Sequence, residues 1–163
     1  MLKPVGQIAQ PDPLVASTRG RDGLSPLTVE EHHEAVAEIT LSEHVPTPAK
    51  EAFDRARNTF VYAWFSYDLG ALAEAQALFA VELALQLRLG PRVHPKDTIS
   101  NLIEKATKDG HIAPNAGGPP LALVFRAMRN EWAHGSVHIH TPAMTLGLLR
   151  TCAGLINEAF EAP

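Results

Sequence analysis

Residues 47–89 read TPAKEAFDRARNTFVYAWFSYDLGALAEAQALFAVELALQLRL, and the periodicity of this stretch decides the fold class. Its first half places Ala49, Ala52, Phe53, Ala56, Phe60, Ala63, Trp64 and Tyr67 at steps of three and four. That is the spacing of one face of an amphipathic helix. Thr47-Pro48 marks its start as an N-cap followed by Pro at the first helical position. From Leu69 to Leu89 the chain is apolar nearly all round, the pattern of a buried central helix. One unbroken helix from Pro48 to Leu89 would be about 63 Å long, whereas a compact domain of this size has a radius of gyration of about 15 Å. A break or hairpin is therefore expected near Asp68-Leu69-Gly70.

Working outward, Thr28-Val29-Glu30-Glu31 has the form of a capping box and predicts a short helix to about Thr40. Its Glu30, Glu31, Glu34 and Glu38 predict a solvated face. The adjacent His32-His33 pair is read as two solvent-facing histidines, since neighbours on a helix point about 100° apart. Gly90-Pro91 ends the central helix. Asp97 or Thr98 caps a short helix through Lys108, which Asp109-Gly110 stops. Pro114, Gly117, Gly118, Pro119 and Pro120 make 113–120 a loop. Leu121, Val124, Phe125, Met128 and Trp132 mark the next helix. Thr141-Pro142 opens a last one, striped by Leu146, Leu149, Ala153, Ile156 and Phe160. No stretch alternates as a strand does. The reading is all-α: four main helices plus short N-terminal and connecting helices over residues 27–163, preceded by an irregular arm, 1–26, draped on the domain or on a partner.

The 163 residues suffice for one domain with a core. The lone Cys152 cannot form an internal disulfide, no signal peptide opens the chain, and no apolar run reads as a bilayer span. The expected location is cytoplasmic. A net charge of −4 argues against holding long nucleic acid by bulk electrostatics. The charge is uneven: residues 1–91 hold 7 Lys and Arg against 12 Asp and Glu, residues 92–163 hold 7 against 6 and five of the eight His. Between Arg126 and Arg150 stand three Arg, three His and a single acid, Glu131, a composition suited to a local anion site.

Within that region Arg129-Asn130-Glu131-Trp132-Ala133-His134, followed by Gly135, carries the chemistry. A guanidinium that stays charged beside an imidazole that titrates near neutrality suits phosphate chemistry. Arg126, Asn130 and His134 share one side of an ideal helix, while Arg129 and His134 diverge by about 140°. Bringing that pair together within one chain requires the helix to loosen near Ala133; a second copy across a two-fold axis is the alternative source of the partner.

Arg-Asn-x-x-x-His at the end of the penultimate helix of an all-α chain resembles the Arg-x(4–6)-His motif of the HEPN superfamily. The helix order from Pro48 to Phe160 is similar too. The resemblance implies a HEPN-like helical bundle and a metal-independent endoribonuclease that leaves a 2′,3′-cyclic phosphate, or a relative that has lost catalysis. It implies His134 as general acid/base, Arg129 as phosphate clamp and Asn130 as orienting group. It also implies a homodimer, a toxin or defence role, and an antitoxin or regulatory protein as partner. No cofactor is expected. Arg126 is read as a substrate-phosphate contact, and His138 and His140 as further cationic or hydrogen-bonding groups near the RNA.

Plainer readings stand beside these. Arg129 or Arg126 pairs with Glu82, a carboxylate in a very apolar helix that needs a partner if buried; such a pair is structural, or supports the site from behind. His134, His138 and His140 count three imidazoles, a number zinc accepts, but no Cys, Asp or Glu nearby completes a set, and no metal is assigned. Tyr62, Trp64, Phe65 and Tyr67 are read as core or dimer packing before base stacking.

Overall fold

The computed structural model describes residues 3–20, 22–114, 121–133 and 140–161. Seven α-helices follow one another: α1 (Pro13–Ala16), α2 (Val29–Ala37), α3 (Thr47–Tyr62), α4 (Leu69–Leu89), α5 (Ile99–Lys108), α6 (Leu121–Ala133) and α7 (Pro142–Glu161). Two single 3-10 turns, Val5–Gln7 and Gly90–Arg92, complete them. The described residues hold no strand, only an isolated bridge between Arg19 and Pro26.

The break expected near residue 68 is present. Residues 63–68 turn the chain, and α4 runs back along α3, with Thr59 donating to Gln76 Oε1 across the hairpin at 2.7 Å. α4 then packs against α3, α5, α6 and α7. Its Ala73, Ala77, Ala80, Val81, Ala84 and Leu85 have almost no exposure; small residues let four neighbours approach one axis closely. Phe53, Phe125, Leu102, Leu149 and Ile156 fill the space around it. Leu69–Arg92 does reach the length and mean hydropathy of a membrane span, against the sequence reading, but half of it is buried against other helices. Cys152 lies in this core, where burial pushes its thiol far above the ordinary range.

Caps set the boundaries. Thr28 and Glu31 form the predicted capping box of α2, and Thr98 closes one with Asn101 on α5. Gly110 ends α5 with a positive φ of 75°. Thr141 Oγ1 accepts from Met144 N–H at the start of α7. Three expectations are corrected. α3 starts one residue early, with Thr47 inside the helix and Pro46 at the N-cap; Pro46, fixed in an extended conformation, accepts from Ala49 and Lys50 through its carbonyl. α2 ends at Ala37 rather than Thr40. Residues 1–26 are not wholly irregular: Asp12 caps α1, and Val15 is buried.

That arm lies on the α3–α4 corner. Lys3 Nζ donates to Phe65 O at 2.7 Å, Asp12 N–H to Trp64 O at 2.8 Å, and Tyr67 N–H to Asp12 Oδ2 at 3.1 Å. The arm thus satisfies three backbone groups of the corner, the Trp64 and Phe65 carbonyls and the Tyr67 N–H.

Candidate functional site

α6 buries Ala122 and Phe125 against the bundle, and Ser100 of α5 donates to the Ala122 carbonyl at 2.9 Å. The helical phase then turns Arg126, Arg129 and Asn130 outward, and all three are exposed. His134 and His138 lie outside the described residues, and so does the loosening expected beyond Ala133.

Arg129 leans back on α4. Its Nε stands 3.6 Å from Glu82 Oε2, with the side chains 44% and 18% exposed. That distance is long for a hydrogen bond, and an ion pair so exposed contributes about 0–1 kcal/mol. It positions the guanidinium more than it stabilises the fold. Of the two pairings the sequence left open, the structure forms the one with Arg129.

At the other end of the undescribed stretch stands a polar cluster that the sequence reading missed. Glu74 of α4 is fully buried. His140 Nδ1 lies 2.9 Å from its Oε2, and Thr145 Oγ1 donates to its Oε1 at 2.5 Å. The Tyr67 hydroxyl donates to the His140 carbonyl at 2.7 Å. Burial above all, and then the charges of Glu74 and Asp12, hold the Tyr67 phenol above its usual range, so it remains a neutral donor. The sequence did carry a signal for Glu74: a carboxylate inside the apolar run 69–89. The same reasoning was spent on Glu82, which proves to be the more exposed of the two.

Glu74 and Glu82 are eight residues apart, about 12 Å along the axis of α4. One holds His140 and the other holds Arg129. The chain that enters the 134–139 stretch and the chain that leaves it are thus tied to a single rigid helix.

The remaining candidates separate. Among the described residues no group of three His, Cys, Asp or Glu is arranged to hold a metal. His32 is not solvent-facing as expected. It is buried, with Nε2–H donating to Phe60 O at 2.8 Å and its ring 4.9 Å from that of Phe60. Burial pushes its pKa below the usual 6.5, outweighing the Phe60 carbonyl. His33 is exposed. Trp64 is buried beside His32, whereas Tyr62 is exposed. A cleft of about 290 Å3 between the arm, α2 and α7 contains none of the motif residues.

No family model, curated protein or solved structure matches the chain. The likeness to HEPN proteins rests on the motif residues and the order of helices alone.

Proposed function

We propose that the protein is a metal-independent endoribonuclease of HEPN type, cutting RNA by attack of a 2′-OH on the adjacent phosphate. His134 takes the 2′-OH proton, Arg129 makes paired hydrogen bonds to the phosphate as its charge grows, and Asn130 orients the site. Arg126 meets a neighbouring phosphate, and His138 and His140 add donors along the RNA. The working form is a homodimer in the cytoplasm with the two motifs facing one cleft. Its setting is a toxin or defence role under an antitoxin or regulatory protein.

The observation that supports this reading is the pair of ties to α4, Arg129 to Glu82 and His140 to Glu74. Catalysis by positioned charges needs groups held by a rigid scaffold, and α4 is the most enclosed helix of the bundle. The same Arg129–Glu82 contact favours a second reading, a HEPN-like RNA-binding or protein-interaction module without catalysis, in which the guanidinium is structural.

Incubating the purified protein with bulk RNA in EDTA separates the two. Wild type is expected to cleave and leave cyclic-phosphate ends. His134→Ala and Arg129→Ala are expected to lose at least about 100-fold while keeping their fold. Absence of cleavage by every form supports the binding module, and cleavage abolished by EDTA overturns the metal-independent mechanism.

A further inference from the structure

We infer that the cleft between the arm, α2 and α7 binds a small neutral aromatic molecule, and that His32 Nδ1 accepts a hydrogen bond from that molecule's N–H or O–H. The cleft holds none of the motif residues, so this site stands or falls apart from the ribonuclease reading.

The cleft exists because its two long walls pack on different helices. α2 lies chiefly on α3 and α7 chiefly on α4, which leaves a gap between them with Phe60 of α3 beneath it. Ties at both ends hold the gap open. At the arm, Leu27 N–H donates to Thr18 O at 2.8 Å and Thr28 N–H to Glu31 Oε2 at 3.0 Å. At the far end, Ser42 N–H donates to Asn157 Oδ1 at 2.8 Å and Asn157 Nδ2 to Thr40 O at 3.1 Å. Walls fixed in this way need little ordering when a ligand enters. The volume of about 290 Å3 lies at the small end of ligand pockets and suits a molecule of one or two rings.

The lining selects a neutral, mainly apolar body. Leu27, Ala35, Phe60, Ala143 and Leu146 supply apolar wall. The charged residues cancel: Arg19 and Arg150 stand against Glu31 and Glu38, and Arg150 Nη2 lies 3.5 Å from Glu38 Oε2. Such a lining offers no net attraction to either sign of charge. The two most enclosed lining residues, His32 and Phe60, are both rings, which favours an aromatic partner over an aliphatic one.

One polar group in the lining is unspent. His32 Nε2–H donates to the Phe60 carbonyl at 2.8 Å. In the neutral ring, the form that burial favours, Nδ1 then carries a lone pair and acts as an acceptor. It has no hydrogen-bond partner among the described residues, and it is not sealed off as Arg57 Nε and Arg88 Nε are. A ligand that covers this nitrogen without donating to it leaves a buried acceptor unpaired, which is costly. A ligand with one N–H or O–H satisfies it.

Indole, benzofuran and indole-3-acetate test the site. Indole and benzofuran share one shape, but only indole carries an N–H. Each is titrated into the full chain at pH 7.5 and followed by calorimetry and by long-range 1H–15N spectra of the histidine rings. Indole is expected to bind with a Kd of about 1 mM or tighter and to move the His32 Nδ1 resonance. Benzofuran is expected to bind about 5- to 100-fold more weakly, and indole-3-acetate no more tightly than indole. Ala143→Trp, which fills the cleft from an exposed position on α7, is expected to abolish indole binding with little change in urea midpoint. His32→Phe is expected to bind indole and benzofuran alike. The proposal is overturned if indole shows no saturable binding at its solubility limit, or if wild type binds indole and benzofuran equally. It is also overturned if indole-3-acetate binds more than about tenfold tighter than indole, or if Ala143→Trp binds indole as wild type does. The wild-type comparisons need no variant, so they decide the matter even where His32→Phe does not fold.

Discussion

Two buried polar residues, Glu74 and His32, define the residue scale. A carboxylate with no exposure is tolerated because both of its oxygens have partners; leaving such a charge unpaired costs about 3–5 kcal/mol. His32 donates to the Phe60 carbonyl, and burial holds its folded-state pKa below 6.5. Its sign is clear: the unfolded chain binds the proton more readily. The stability it contributes is therefore fully present above about pH 6.5 and is lost as pH falls from there toward the lowered folded value. Urea denaturation from pH 7.5 to 5 is expected to show a shallower loss in His32→Gln than in wild type; parallel curves would contradict the burial of this ring. The burial was legible in principle. Val29, His32 and Val36 recur at three and four residues, the face that packs on α3. The neighbouring acids drew the reading toward a solvated helix. Glu74 was harder to see, because its partners His140 and Thr145 lie far along the chain and no local pattern links them.

At the scale of elements, periodicity and caps located most helices. The capping boxes at Thr28 and Thr98 and the Thr141-Pro142 start were readable because they act over three or four residues. The arm's short helix was not, since four residues make too little pattern to register. α7 offers a direct check on element energetics. Gly147 and Gly154 lie in its exposed interior, and a Cβ built on either meets open space. Each Gly→Ala change is expected to stabilise the fold by about 0.5–1 kcal/mol through reduced chain entropy in the unfolded state. Two full turns apart, their effects should add, seen as a rise in urea midpoint at constant slope. A fall in midpoint would mean that this face of α7 is covered in solution.

For the molecule as a whole, α4 is the common neighbour of α3, α5, α6 and α7. Its amides are expected to exchange most slowly, opening only with global unfolding, whereas α1 and the Val5–Gln7 turn exchange by local opening. Faster exchange in α4 than in α2 would contradict this arrangement. The motif's Arg and Asn were visible in the sequence, and so was Glu82 as a partner for Arg129; the cluster of Glu74, His140 and Thr145 was not, because its members lie some seventy residues apart. That separation has a consequence in time. Glu74 precedes Thr145 by 71 positions, and a ribosome adding about 5–20 residues per second takes roughly 4–14 s to make that stretch. Throughout that interval the nascent chain carries the carboxylate without the histidine and hydroxyl it will hold. On the function proposed here, a nascent toxin cannot cut the message it is being read from until its last third has emerged and docked.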